Sequence, residues 1–433
     1  MAESRQATSA GPAAAGPAAG PAAAELAETV RTEGARILAT LVRTAGSLQV
    51  AEDAVQEASL RALRDWRRGG VPDSPRAWLT VTARRIAVDI LRREAARPGK
   101  ERASVDLTVP DLPPDSVVRD DRLRLIFTCC HPSLALEAQV TLALRTLCGL
   151  SPAQIAAVLL TSEAAIGKRL TRTRAKIATA GIPYRIPSDE ELPARLAAVC
   201  AVVHASYTIA HSAVGGERLT DVDGCREAVR LARITHELLP DESTPMAVLA
   251  LILLTEARRP ARVDAAGEPV LLADQDRARW DGALVQEALR LLDASLRRTD
   301  AIGDPYQLQA AIAAEHARAP SYEATDWPEI VRLYDLLLAV APTSAAGLAR
   351  AVAVAEASGT AAGLRALEDV KIDGTAPDHR WHAVRGELLA RAGRWAEAVA
   401  ETRASLTDEV SAPERRHRER RLTTWTASAA AAR

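Results

Sequence analysis

Residues 151–177, SPAQIAAVLLTSEAAIGKRLTRTRAKI, contain two short helical patterns in direct succession. Ser151 and Gln154 have the S-x-x-Q spacing of a capping box, and Pro152 occupies the first helical position. Ser162 stands where it can cap a second helix. The stretch therefore predicts two helices joined by a tight turn.

The second helix of this pair has two chemically different faces. Its apolar face follows the i, i+4, i+7, i+11 spacing of a buried stripe and consists of Ile166, Leu170, Thr173 and Ile177. Its basic face consists of Lys168, Arg169, Arg172 and Lys176. A helix that is buried on one side and basic on the other fits the DNA major groove, although a solvated charged helix has the same pattern.

The composition of the whole chain favours helices. Only 3% of the 433 residues are aromatic, and Ala, Leu, Val and Arg dominate. Sheets prefer aromatic and β-branched residues, so we expect an all-α protein packed through small side chains.

The charge is distributed unevenly along the chain. Residues 58–102 carry a net charge of +7 and residues 151–177 a net charge of +4. Because the whole chain has a net charge of −1, the remainder carries −12. A basic front half suggests a polyanionic partner, and the acidic remainder could mask the basic helices electrostatically.

Breaks in the helical patterning divide the chain into segments. They predict a disordered Ala/Gly/Pro tail at 1–24, a helical domain at 25–101, an acidic Pro-rich linker at 102–121, a second helical domain at 122–180, a short linker at 181–193, and a helical extension at 194–433. The first linker is expected to be extended around Pro110, Pro113 and Pro114.

The extension contains a 34-residue periodicity. Gly359 recurs as Gly393, and Ala355 recurs as Leu389. Residues 380–406 read as two short helices around a glycine turn, which resembles a tetratricopeptide repeat. The similarity is partial at 327–342 and 226–240, and an insertion at 258–280 breaks the period. We expect an irregular tetratricopeptide-like α-solenoid, although Ala-rich helical hairpins can look repetitive by chance.

Two helices of the front half carry further signals. Asp53, Gln56 and Glu57 share one face of the first, and an acidic face on a basic module indicates a protein contact. The second contains a tryptophan among basic residues, a combination that suits a partly melted DNA strand. Trp78 could equally be a core residue, and the arginines could line a solvated face.

Together these stretches resemble a bacterial sigma factor. The similarity rests on AEDAVQEASLRAL at 51–63, RAWLTVTARRIAVDILRRE at 76–94 and the 149–177 segment, and it covers roughly residues 25–180. The layout is similar to the extracytoplasmic-function group of the sigma-70 family, which has only regions 2 and 4. Residues 125–156 further resemble the subgroup that carries a C-terminal tetratricopeptide-like extension.

The resemblance implies an alternative sigma factor that binds core RNA polymerase and recognises −10 and −35 promoter elements. Asp53, Gln56 and Glu57 would bind the β′ clamp. The −10 element would be contacted by Trp78, Arg84, Arg85, Asp89, Arg92 and Arg93. The −35 element would be contacted by Ser162, Lys168, Arg169, Arg172 and Lys176. The β flap and a regulatory protein at the repeats are further expected partners, and the linker would thread polymerase near the RNA exit path. Many family members have glycine in the helix–turn–helix turn, where this chain has Leu160.

Two other functions fit the sequence less well. A stand-alone helix–turn–helix regulator with a sensing repeat domain leaves the acidic face unexplained. An enzyme is not expected, because the chain shows no paired catalytic carboxylates, P-loop or nucleophile motif, and His211 and His236 stand singly. The five cysteines form no CxxC pair, and Cys129 and Cys130 are adjacent, so we expect buried thiols and neither metal nor cofactor. No secretory signal or bilayer-length apolar run is visible, so we expect a cytoplasmic protein without a membrane partner.

Overall fold

A computed structural model describes residues 21–95, 121–159, 161–182, 187–188, 190–212, 219–300, 303–370, 379–407 and 410–431. The chain divides into two compact units, Met1–Pro110 and Asp111–Arg433. The described ranges contain α-helices, three short 3₁₀ turns and one isolated β-bridge, between Val263 and Pro269. The expected all-α fold, with a helical C-terminal part, is therefore confirmed.

The α-helices are α1 Pro21–Ala45, α2 Leu48–Gly69, α3 Pro75–Ala95, α4 Asp121–Cys129, α5 Leu136–Thr146, α6 Pro152–Val158, α7 Glu163–Ala180, α8 Pro193–His211, α9 Val222–Leu238, α10 Ser243–Ala257, α11 Gly282–Leu296, α12 Pro305–Arg318, α13 Trp327–Val340, α14 Ser344–Ser358, α15 Thr360–Glu368, α16 His379–Arg391, α17 Trp395–Ala404 and α18 Ala412–Ala431. No described helix is both long and apolar enough to cross a membrane.

The first unit is a bundle in which α1 packs on both α2 and α3. Ser47 caps α2 by accepting a hydrogen bond from the Val50 amide. α1 begins at Pro21, so residues 21–24 are helical, whereas composition predicted disorder up to residue 24. Pro at the first helical position and the alanines that follow it explain this earlier start.

The second unit contains α4–α7 and the described helices of the extension. α8 packs on α4 and α5, which precede the helix–turn–helix of α6 and α7. Cys148, just after α5, donates a hydrogen bond of 3.3 Å to the Ser206 hydroxyl on α8. The first helix of the extension thus completes the packing of the domain before it, although residues 181–193 were expected to separate the two.

The rest of the extension is built from neighbouring helices that pack in chain order. α10 is apolar on all sides and almost entirely buried. Gly359, with φ +88°, turns the chain between α14 and α15, and Gly393, with φ +72°, turns it between α16 and α17. The expected two-helix hairpin at 380–406 is present; its assignment to the tetratricopeptide class stays a prediction.

The insertion at 258–280 contains the three 3₁₀ turns and the β-bridge, and the last helix of the chain contacts it. The Glu268 carboxylate accepts a hydrogen bond of 2.5 Å from Arg416 and forms an ion pair of 2.9 Å with Arg420; both arginines are on α18. These two arginines hold the pKa of Glu268 below its usual range. The ion pairs join α18 to the insertion, and Arg416 lies 148 positions after Glu268.

Candidate nucleic-acid interface

The helix–turn–helix has the capping that its sequence predicts. The Ser151 hydroxyl accepts from the Gln154 amide at 3.2 Å, and the Gln154 side chain accepts from the Ser151 amide at 2.9 Å. Ser162 caps α7 by accepting from the Ala165 amide at 3.2 Å. Ser162, one of the expected −35 contacts, therefore has a structural role at the start of α7.

The two faces of α7 lie as the sequence predicts. Its buried residues are Ile166, Leu170, Thr173 and Ile177. Lys168, Arg172 and Lys176 are exposed, so the described helices of the extension leave this basic face open within the second unit. Gly181, with φ +58°, ends the helix in the left-handed conformation that favours glycine.

Arg169 differs from Lys168, Arg172 and Lys176 because it is half-buried. Its guanidinium donates a hydrogen bond of 3.2 Å to the Thr141 hydroxyl on α5. This bond links α7 to α5, a contact that helical periodicity could not reveal.

A groove of about 490 Å³ lies between the start of α5 and the exposed side of α7. Its lining residues are Leu134, Ala135, Glu137, Ala138, Arg169, Arg172, Thr173 and Lys176. Three of the four predicted basic residues border this groove, and Glu137 is its single acid. A concave surface with this charge can accept a phosphodiester backbone.

In the first unit, α3 carries the predicted −10 residues. Arg84, Arg85, Asp89, Arg92 and Arg93 are all exposed. Trp78 is half-buried, and its ring packs edge-on against the ring of the buried Trp66, with 5.7 Å between the ring centres. The Trp78 ring is thus anchored in the unit while part of it stays accessible, which lies between the two alternatives that its sequence position left open.

The acidic face of α2 has less unpaired negative charge than its sequence suggests. Asp53 and Gln56 are exposed, but Glu57 is half-buried and pairs with Arg61 at 3.1 Å and with Arg64 at 3.8 Å. Leu60, one turn further along, is 55% exposed, and sequence reasoning missed it. The face therefore combines a carboxylate, an amide and an uncovered apolar side chain, as protein contacts commonly do.

Two sequence-based expectations concern residues that the structure does not describe. Leu160, at the helix–turn–helix turn, and the linker around Pro110, Pro113 and Pro114 lie outside the described residues.

Four of the five cysteines are buried and Cys148 is half-buried, all as free thiols. Burial raises the pKa of Cys148 to about 11 and that of Cys200 to about 12. Within the described residues, no group of three His, Cys, Asp or Glu side chains is arranged to hold a metal ion.

Comparisons with known proteins agree with this geometry. Residues 29–97 match the family model of sigma-70 region 2, and residues 124–177 match that of sigma-70 region 4. Residues 195–296 match a family of unknown function (DUF6596), which begins within α8. The chain is 41% identical over 371 residues to an uncharacterized protein of Rhizobium meliloti (strain 1021), covering 83% of this chain and 86% of that protein. No solved structure matches.

The region 2 and region 4 matches fall on the two parts of the chain where α3 and α7 present their basic residues. Sigma-70 proteins are transcription initiation factors, and these two domains imply core RNA polymerase and promoter DNA as partners. The region 2 and region 4 matches together indicate a sigma factor of the sigma-70 family.

Proposed function

We propose that this protein is an alternative sigma factor of the extracytoplasmic-function type that directs core RNA polymerase to promoters through −10 and −35 contacts. The observation that carries the proposal is the division of α7 into a fully packed face and an open basic face, on a capped helix–turn–helix. Such a helix can enter the major groove with its basic side toward bases and phosphates.

The −35 contacts would come from the exposed Lys168, Arg172 and Lys176. Arg169 would act from the edge of the groove, where its bond to Thr141 limits its reach. Ser162 would contribute through the start of α7, whose amide groups carry partial positive charge.

The −10 contacts would come from α3. Its exposed arginines, Arg84, Arg85, Arg92 and Arg93, can neutralise phosphates of an opened strand, and Asp89 can accept from a base amino group. Trp78, held by Trp66, offers an aromatic edge against which an unstacked base could rest.

Polymerase binding would use the face of Asp53, Gln56 and Leu60, with the Glu57 carboxylate partly neutralised by its arginine partners. Under this proposal, residues 25–101 form region 2, residues 102–121 the linker, residues 122–180 region 4 and residues 194–433 a tetratricopeptide-like extension. The extension would be the docking site of a regulatory protein, and the β flap would be a further contact of region 4.

The test is capture of purified core RNA polymerase by the full-length protein and by Asp53→Arg, followed by run-off transcription. Glu25→Arg makes the same change of charge on an exposed site of α1 and serves as the control. We expect capture by the wild type and the control, and reduced capture by Asp53→Arg. A folded, monodisperse wild-type protein that captures no polymerase, yet binds DNA, would point to a stand-alone regulator.

A further inference from the structure

Arg258, Arg277 and Trp280 meet in the extension where the ends of α10 and α12 approach the insertion, and His316 lies within electrostatic range of both arginines. The guanidinium carbons of Arg258 and Arg277 lie 5.2 Å and 4.7 Å from the centre of the Trp280 ring. Arg277 also donates to the backbone carbonyls of His316, at 2.5 Å, and Ala319, at 2.7 Å. We name Arg258, Arg277, Trp280 and His316 the arginine–tryptophan cluster.

The hydrogen bonds of this cluster are incomplete. Arg258 Nε, Arg277 Nη2 and Trp280 Nε1 are buried donors that have no acceptor among the described residues. His316 Nδ1 is also buried and has no partner among the described residues. Buried polar groups are normally paired, because an unmet donor loses its hydration without compensation.

The cluster also has an excess of positive charge. Burial and the neighbouring Arg262 and Arg277 lower the pKa of Arg258 to about 10. In the described part of the chain, no carboxylate forms a salt bridge with Arg258 or Arg277. The nearby Glu256 is already bound by Arg259 at 2.6 Å and by the Tyr207 hydroxyl at 3.1 Å.

Two more acidic residues lie within electrostatic range, but neither forms an ion pair with Arg258 or Arg277. Glu323 acts on Arg277, and Glu414 acts on Arg262. Glu323 is exposed, and Glu414 lies 3.9 Å from another arginine, Arg418. Helix ends can hold a cation, and Arg277 does cap α12, but that role leaves its Nη2 and the Arg258 Nε unexplained.

We propose that the arginine–tryptophan cluster binds the oxyanion group of a small molecule, a phosphate or a carboxylate. Such oxygens accept from guanidinium groups with favourable charge and geometry, and the Trp280 N–H supplies a further donor. All four residues of the cluster are half-buried, so their buried donor atoms lie just beneath the protein surface. The extension would then bind a small molecule. This proposal does not depend on the proposed role in transcription.

The test is titration of the full-length protein with sodium phosphate and, separately, with sodium succinate at constant ionic strength set by NaCl. Calorimetry and thermal melting would both be recorded. We expect saturable binding of at least one anion, with a rise in melting temperature beyond that of matched NaCl. Binding of phosphate alone would identify a phosphate-bearing ligand, and binding of succinate alone a carboxylate.

Variants localise the site. Arg258→Gln removes the charge and should weaken binding about tenfold or more, as expected for a charge-assisted hydrogen bond. Trp280→Phe keeps the ring but removes the N–H, and it should weaken binding several-fold even if Arg258→Gln does not fold. The exposed Arg290→Gln, on α11, should bind like the wild type. Absence of saturable binding by both anions, or equal binding by the wild type and both cluster variants, would overturn the proposal.

Discussion

The guanidinium of Arg195, at the start of α8, donates a hydrogen bond of 3.1 Å to the backbone carbonyl of Phe127, in the last turn of α4. The last carbonyls of a helix have no partner within the helix, so a cation there satisfies an orphan acceptor and the helix dipole together. Arg195 is only 4% exposed. The extension therefore packs directly on the domain that carries the helix–turn–helix.

Replacement of Arg195 should loosen this junction. Arg195→Met keeps much of the buried stem but leaves the Phe127 carbonyl without its donor, and we expect the second unit to lose about 2 kcal/mol of stability, as for a hydrogen bond to a charged group. Hydrogen exchange should accelerate in α4 and α8. Arg365→Met, at an exposed site of α15, is the control. Unchanged exchange in α4 would show that α8 is not needed there.

A second prediction concerns the contribution of the exposed face of α7 to DNA affinity. Arg172→Ala should weaken binding to a promoter duplex by about 1–3 kcal/mol if its guanidinium meets a base edge. If it meets only a phosphate, the slope of log K against log salt should fall by about 0.9 for one contact. Fluorescence anisotropy at several salt concentrations separates these outcomes, with Arg365→Ala as the control. An unchanged affinity and slope would remove Arg172 from the interface.

Local sequence patterns predicted the helix–turn–helix in detail. The capping box of Ser151 and Gln154, the Ser162 cap and all four buried positions of α7 are present. Each depends on residues a few positions apart, where helical geometry alone fixes which side chains share a face.

Contacts between distant segments could not be predicted in this way. Arg195 and Phe127 are separated by 68 positions, and Glu268 and Arg416 by 148. No periodicity distinguishes an arginine that will cap a distant helix from one that faces solvent. Glu57 is a different case, because its partner Arg61 is only four positions away and helical spacing could have predicted the pair that weakens the acidic face.

Leu60 supplies a third prediction, because an exposed leucine on a face with Asp53 and Gln56 fits a binding surface. Leu60→Ala should reduce capture of core RNA polymerase while leaving the melting temperature almost unchanged, since the side chain is 55% exposed. Leu296→Ala, at a leucine that is 46% exposed on α11, is the matched control. Equal capture by both variants would confine polymerase binding to other residues.

Gly363 gives a fourth prediction, on the packing of α14 against α15. A Cβ at this position would lie 2.4 Å from the Ala355 Cβ and 2.9 Å from its Cα, so the two helices would have to move apart. Gly363→Ala should destabilise the second unit by about 1–3 kcal/mol, the usual effect of overpacking. Gly167→Ala, in α7 with nothing within 4 Å of its added Cβ, should instead stabilise by about 0.5–1 kcal/mol. Urea denaturation of both variants measures the difference, and equal effects would contradict the close approach.

Three histidines of the extension predict how its stability depends on pH. Burial lowers the pKa of His204 to about 4, and burial together with nearby arginines lowers those of His211 to about 3 and His316 to about 4. These residues stay neutral in the folded state while the unfolded chain takes up protons below its ordinary histidine pKa of about 6.5. Stability is therefore retained above pH 6.5 and lost as the pH falls toward 4, by up to about 1.4 kcal/mol per pH unit for each histidine.

Urea denaturation at pH 7.0, 6.0 and 5.0 tests this dependence in a range above the ordinary titration of carboxylates. His204→Phe keeps a ring against Tyr306, whose centre lies 5.3 Å from that of His204. The variant should unfold with a shallower pH dependence than the wild type, because one proton-binding site is missing from its unfolded state. A wild-type stability that stays constant from pH 7.0 to 5.0 would mean that the histidines take up protons in the folded protein as readily as in the unfolded chain.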